Sequence, residues 1–148
     1  MKPDLRRVLL TQRQALTPEQ RSAHDAALGE RLLRWSEQQS LSCLGVYWPI
    51  RGEPDLRDAY AELARRGLHL ALPVMTGRDA PLAFAAWAPG DALEEGAMKV
   101  PIPKAPQRFV TPDALLIPCV GFNQARLRLG YGGGFYDRTL ANEPRPKA

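Results

Sequence analysis

The residues of this sequence that could do chemistry are concentrated between positions 126 and 138. Arg126 and Arg128 precede four glycines that fall within five positions, and an aromatic pair then leads to Asp137. Glycine adds no side chain to a core and loses the most backbone freedom on folding, so a glycine cluster indicates that a ligand approaches the backbone closely. Successive backbone N–H groups at the start of a helix bind anions, and arginine side chains add full positive charges. The stretch therefore predicts a phosphate site.

Two familiar phosphate-binding loops do not match this stretch. No Lys, Ser or Thr follows the glycines as a P-loop requires, and position 135 is Phe where a dinucleotide-binding loop would need Gly. Asp137 offers a hard oxygen ligand that could reach a magnesium ion between phosphate oxygens. The alternative is a tight turn before an ordinary helix, with Asp137 paired to Arg138 in solvent. The arginines and the aspartate beside the glycines favour anion binding.

Composition predicts one soluble domain over residues 1–148. The chain is 45% hydrophobic and 24% charged, which is ordinary for a globular protein. It has no apolar run near the roughly 18 residues needed to span a bilayer, so we expect a cytoplasmic protein without membrane association. The net charge of +4 suits a nucleic acid or a polyanionic small molecule equally well. The arginines are scattered along the chain, and we expect no nucleic-acid partner.

The elements that must position the glycine-rich stretch alternate between helices and strands. A capping box at Thr17, with Pro18 next, predicts the start of the second helix, and Asp55 is expected to cap the third. The predicted elements are a helix at 4–15, a helix from 18, a strand at 41–48, a helix at 56–63, strands at 69–73 and 82–87, a long irregular connection at 88–111 and a central strand at 113–120. This order predicts a three-layer α/β/α domain with a largely parallel sheet.

The run Arg128 to Arg138, with the sequence RLGYGGGFYDR, closely resembles the signature of the 5-formyltetrahydrofolate cyclo-ligase family, also called 5,10-methenyltetrahydrofolate synthetases. Looser similarity extends back to Lys2. The resemblance implies the fold of that family and its reaction in folate one-carbon metabolism. That reaction is the ATP- and magnesium-dependent conversion of 5-formyltetrahydrofolate to 5,10-methenyltetrahydrofolate, with release of ADP and phosphate.

The resemblance also implies roles for individual residues, none of them a nucleophile or a base. ATP would be bound by Lys2, Arg6, Arg128, Leu129, Gly130, Tyr131, Gly132, Gly133, Gly134, Phe135 and Tyr136. The folate would be bound by Trp48, Glu53, Tyr131, Gly132, Gly133, Gly134 and Phe135. Asp137 would bind magnesium. Core packing remains an alternative to the folate role for Trp48. Phe135 and Tyr136 could equally well pack beneath the glycine-rich loop instead of forming a wall of the site.

The chain departs from the family pattern at its C-terminal end. Members normally continue for some tens of residues and add a strand and a second aspartate for magnesium, whereas this sequence ends at Ala148. We therefore expect a C-terminally shortened domain, either a ligase or a non-catalytic nucleotide- or folate-binding protein, with a basic RNA-binding module as a further alternative. A missing strand would expose a sheet edge and invite dimerisation, so we expect a monomer or a weak homodimer. The resemblance implies a small-molecule substrate, 5-formyltetrahydrofolate.

Overall fold

The protein is described by a computed structural model that covers residues 2–119, 121–122, 128–129 and 135–140. In chain order the elements are α1 (Lys2–Gln14), α2 (Pro18–Glu37), β1 (Cys43–Gly45), α3 (Arg57–Arg65), β2 (His69–Met75), β3 (Leu82–Trp87), β4 (Leu93–Glu95), a 3₁₀ turn (Ala97–Lys99), β5 (Pro101–Pro103), β6 (Phe109–Val110), β7 (Ala114–Leu115), β8 (Gly121–Phe122), β9 (Arg128–Leu129) and α4 (Phe135–Leu140). In these ranges no helix is both long and apolar enough to cross a membrane.

The start of α2 confirms the predicted capping box. The Thr17 hydroxyl accepts a hydrogen bond from the Gln20 backbone N–H over 3.1 Å, and the Gln20 side chain accepts one from the Thr17 N–H over 2.9 Å. Pro18 occupies the first helical turn, where its missing N–H costs nothing. The cap of α3 differs from the prediction, because Leu56 occupies the N-cap position and Asp55 instead accepts from the Arg57 N–H over 3.1 Å.

The main sheet joins strands in the order β6-β3-β2-β1-β7. Strand β1 pairs in parallel with β2 and with β7, whereas β3 and β6 continue the sheet in antiparallel pairs. The predicted α/β class is confirmed, with a parallel part and an antiparallel part in one sheet. The prediction of a central strand at 113–120 is wrong in the described ranges, since β7 is short and lies at an edge. Pro118 explains the early end, because it has no N–H to donate to a neighbouring strand.

Helices cover both faces of this sheet. Successive side chains of β2 point to opposite faces, so Leu70 and Leu72 join the core beneath α2 and α3, while Ala71 joins a smaller core that includes Leu140 of α4. The first core is completed by Leu32, Leu44, Val46, Tyr47, Leu56, Ala59, Tyr60, Leu63, Trp87 and Ala114. The described residues thus form the predicted three layers.

The segment at 88–111 is not the irregular connection that its prolines and glycines predicted. Strands β4 and β5 form an antiparallel hairpin in which Glu94 lies opposite Ile102, and β6 then joins the main sheet. Prolines at both ends of β5 hide the strand pattern, although they are tolerated in such a short, peripheral strand. At the tip of the hairpin, the backbone angle φ is 56° at Met98 and 62° at Lys99.

Candidate substrate-binding site

A cleft of about 250 Å³ opens where the parallel strands of the sheet end. In open α/β sheets this carboxyl edge is the usual place for a ligand. Strand β2 contributes its last residues, β3 contributes its first, and the connection after β1 forms one wall. The residues that line the cleft are Tyr47, Trp48, Ile50, Arg51, Glu53, Pro73, Val74, Met75, Leu82, Ala97, Met98, Val100, Ile102, Pro118 and Tyr136.

Two buried tyrosines fix the course of the chain after β1. The Tyr60 hydroxyl of α3 donates to the Tyr47 carbonyl over 2.8 Å, and the Tyr47 hydroxyl donates to the Pro54 carbonyl over 2.8 Å. Burial raises the pKa of Tyr60, and the neighbouring Tyr47 adds to that increase. The Tyr60 phenol therefore stays protonated and can act as a donor. These two bonds hold the segment that carries Trp48 and Glu53 against the core.

Trp48 takes part in the core and in the cleft at once. Its ring meets Trp87 edge-on, with centroids 6.1 Å apart, and the Arg57 guanidinium lies 5.0 Å from its centroid. Such cation–π contacts orient an aromatic ring. Arg57 is itself held by Asp55 through contacts of 2.8 and 2.6 Å, and these bonds lower the pKa of the Asp55 carboxyl. Trp48 therefore packs against the core and lines the cleft, so the two alternatives for this residue do not exclude each other.

Glu53 brings a negative charge to a mostly apolar cleft. Its Oε1 accepts a hydrogen bond from the Ile50 N–H over 2.9 Å, and its own N–H donates to the Ile50 carbonyl over 2.9 Å. The carboxylate is therefore tied to a closed turn. A carboxylate fixed in this way can accept hydrogen bonds from N–H groups of a heterocyclic ligand, and such charge-assisted bonds are the stronger class.

The hairpin formed by β4 and β5 supplies cleft residues that the sequence analysis did not single out. Ala97, Met98, Val100 and Ile102 all line the cleft. Met98 is 60% exposed and lines the cleft from the tip of the hairpin. These residues could have been found in the sequence as apolar residues inside a segment rich in proline and glycine, because long connections of this kind often cover functional sites.

The sequence-predicted site residues are only partly within the described ranges. Trp48, Glu53 and Tyr136 come together at the cleft although they are far apart in the chain. Arg6 lies half-buried on α1 and is not part of the described cleft lining. Five predicted residues lie outside the described residues, namely Gly130, Tyr131, Gly132, Gly133 and Gly134. For five more the structure describes the backbone alone, namely Lys2, Arg128, Leu129, Phe135 and Asp137.

The backbone around the glycine-rich stretch is described on both sides. Strands β8 and β9 form an antiparallel ribbon that pairs Phe122 with Arg128, and α4 begins at Phe135. Asp137 follows Tyr136, a cleft residue, by one position in α4. Within the described ranges no group of three or more His, Cys, Asp or Glu residues could hold a metal ion. A magnesium ion bound by one or two carboxylates and by substrate phosphates does not need such a group.

Comparison with known proteins decides the family. Residues 1–147 match the model of the 5-formyltetrahydrofolate cyclo-ligase family. The chain belongs to the 5-formyltetrahydrofolate cyclo-ligase family. A cyclo-ligase of Escherichia coli K12 is 35% identical over 135 residues, which cover 88% of this chain and 74% of that protein. The cyclo-ligase of Mycolicibacterium smegmatis is 31% identical over 148 residues, covering 94% and 74% of the two chains.

Solved structures agree with this family assignment. The 5,10-methenyltetrahydrofolate synthetase of Aquifex aeolicus superimposes with a TM-score of 0.79 at 29% identity, over 94% of this chain and 71% of that one. A synthetase from Mycoplasma pneumoniae gives a TM-score of 0.77 over 99% and 80% of the two chains, and its 24% identity supports the fold alone. The resemblance recognised in the sequence is confirmed. As a member of the cyclo-ligase family, the chain is a ligase of folate one-carbon metabolism.

Proposed function

We propose that this chain converts 5-formyltetrahydrofolate and ATP to 5,10-methenyltetrahydrofolate, ADP and phosphate in the presence of magnesium. The observation that carries the proposal is one cleft that joins Trp48, Glu53 and Tyr136 at the carboxyl edge of the sheet. Family membership supports the same reaction. The described lining of the cleft suits a flat heterocycle, because its walls are aromatic and apolar and its charged residues are Glu53 and Arg51.

In this proposal the folate lies between Trp48 and the β4–β5 hairpin. Trp48 contributes an indole whose orientation is fixed by Trp87 and Arg57. Glu53 accepts hydrogen bonds from the N–H donors of the pterin, which fixes the orientation of the ring. Tyr131, Gly132, Gly133, Gly134 and Phe135 complete the folate site. The hairpin excludes water on the remaining side, which strengthens the hydrogen bonds inside.

ATP is proposed to bind beside the folate, near the start of α4. Lys2, Arg6 and Arg128 neutralise phosphate charge, and the backbone of residues 129–136 surrounds the triphosphate. Asp137 provides an oxygen ligand for magnesium. The ion, when bound, offsets negative charge on the phosphate oxygens. The position of Tyr136 on the cleft supports this arrangement, because α4 then brings the nucleotide site next to the folate site.

The chemistry needs positioned substrates more than a reactive side chain. The formyl oxygen attacks the γ-phosphorus of ATP and ADP departs, which leaves a phosphorylated formyl group on N5. The N10 amine then attacks the formyl carbon and loses its proton, and the carbon–oxygen bond breaks as phosphate leaves with the former formyl oxygen. Orientation of two bound substrates and compensation of phosphate charge are the main contributions that a protein can make to such steps.

We also propose that residues 1–148 act as a single domain in the cytoplasm, as a monomer or weak homodimer, on small molecules and not on nucleic acid. The scattered arginines and the ordinary composition support this proposal. Steeply salt-dependent RNA binding that ATP does not affect would contradict it.

The decisive test of the function is the absorbance of the methenyl product, measured with and without ATP and magnesium. We expect product only when both are present. Asp137→Ala should abolish magnesium-dependent turnover and leave the melting temperature unchanged. Glu19→Ala is a matched control, because it removes an exposed acid from the first turn of α2. Full turnover in Asp137→Ala would contradict its role, and binding of both substrates without product would instead support a non-catalytic binding protein.

A further inference from the structure

The turn that carries Glu53 has an unusual backbone conformation. At its two central residues the backbone angle φ is positive, 49° at Arg51 and 77° at Gly52. The Glu53 N–H donates to the Ile50 carbonyl across the turn. Positive φ at both central positions defines a type I′ turn. Glycine adopts this conformation freely, whereas an arginine in the left-handed region is strained. Such a conformation persists only where the surrounding structure enforces it.

Two arginines from the N-terminal helices hold the carbonyl groups of this turn. Nη2 of Arg13 in α1 donates to the Arg51 carbonyl over 2.9 Å, and Nη1 of Arg21 in α2 donates to the Gly52 carbonyl over 3.5 Å. Nη2 of Arg21 also donates to the Arg13 carbonyl over 2.8 Å, which joins the two helices at the same point. Both side chains are half-buried. We refer to Arg13 and Arg21 as the arginine clamp.

The clamp and the turn fit each other closely. A Cβ atom added to Gly52 would lie 3.0 Å from Nη1 of Arg21 and 3.7 Å from Nε of Arg13. A side chain at position 52 would therefore push against the clamp and would also be strained at positive φ. A lysine at position 21 has one ammonium group, which cannot match the planar set of donors with which a guanidinium reaches two carbonyls.

The position of the Glu53 carboxylate depends on this turn. Its Oε1 accepts from the Ile50 N–H, so the carboxylate and the turn move together. We propose that Arg13 and Arg21 are positioning residues, which hold the turn at residues 50–53 so that Glu53 meets the folate. This inference rests on the proposed function, in which Glu53 is a folate ligand. The clamp acts from outside the cleft, since neither arginine is among the described residues that line it.

The test compares Arg21→Met, Arg21→Lys and Glu53→Gln, alone and combined. We expect Arg21→Met to raise the KM for 5-formyltetrahydrofolate about tenfold, with less than about a twofold change in kcat, because it removes the contact with the Gly52 carbonyl and the 2.8 Å bond to the Arg13 carbonyl. Arg21→Lys should restore part of the loss. In the Glu53→Gln background Arg21→Met should have little further effect, because interaction through one group makes the two changes non-additive.

Arg34→Met is the matched control, because Arg34 is an exposed arginine of the same helix. Melting temperatures and the quenching of tryptophan fluorescence by 5-formyltetrahydrofolate show that each variant is folded and give its affinity without turnover. If the wild-type protein turns over normally and Arg21→Met leaves its KM for the folate unchanged, the positioning role of the clamp is overturned and the proposed function is not. An equal rise in KM from Arg21→Met in the wild-type and Glu53→Gln backgrounds would also overturn the positioning role. A protein that neither binds nor converts the folate would overturn both proposals.

Discussion

Glu53→Gln is the most direct test of the proposed folate site. In the structure, Oε1 of Glu53 accepts the Ile50 N–H over 2.9 Å. The oxygen of a glutamine side chain can accept the same bond, so the turn should survive the substitution. The amide NH₂ group would then stand where the second carboxylate oxygen stands now. Donors of the pterin would meet another donor instead of a negatively charged acceptor.

The size of the effect follows from the loss of one charge-assisted hydrogen bond. Bonds to charged groups contribute about 1.5 to 3 kcal/mol, which corresponds to a rise in KM of about 10- to 150-fold. The bond from Ile50 is retained, so the free energy of unfolding should fall by no more than about 1 kcal/mol, the size of one ordinary hydrogen bond. The KM for ATP should stay the same, since the proposed nucleotide residues lie elsewhere.

The assay is the initial rate of methenyl product formation over a range of 5-formyltetrahydrofolate concentrations. Urea unfolding of the same preparations measures their stability. Glu94→Gln serves as the control, because Glu94 is an exposed carboxylate in β4. A normal KM for the folate in a fully folded Glu53→Gln protein would refute the assignment of Glu53. A raised KM together with a large loss of stability would show that the turn itself had been damaged, which would refute the view that the amide preserves it.

Two further predictions concern the elements that hold the cleft. Tyr60→Phe removes a buried donor to the Tyr47 carbonyl and should lower the free energy of unfolding by about 1 to 2 kcal/mol, as measured by urea denaturation; an unchanged midpoint would contradict it. Asp55→Asn should cost about 0.5 to 1 kcal/mol at pH 7, because the ion pair with Arg57 is partly exposed. The pKa of Asp55 is lowered in the folded state, so this stabilisation is present above the unfolded pKa near 3.9 and disappears as pH falls through the folded value. Urea unfolding should therefore show a smaller difference between Asp55→Asn and the wild-type protein at about pH 2.5 than at pH 7, and an equal difference at both would contradict the ion-pair explanation.

Local signals in the sequence determined several features of the protein. The capping box at Thr17 depends on residues three positions apart, so it could be recognised without any knowledge of the fold. Strand β3 was predicted with the bounds that it has in the structure, because Leu82–Trp87 is a continuous apolar run between turn residues. The glycine-rich signature likewise lies in one short stretch, and it was sufficient to indicate the family.

Tertiary structure alone decided how the cleft is enclosed. The hairpin of β4 and β5 has prolines where a strand pattern would be expected, and its contacts with the cleft come from distant parts of the chain. The same is true of the arginine clamp, since 38 positions separate Arg13 from the carbonyl that it holds. Sequence patterns report periodicity over a few residues, whereas these contacts depend on how helices and strands pack. For that reason the type of reaction could be predicted from one motif, but the residues that position Glu53 could not.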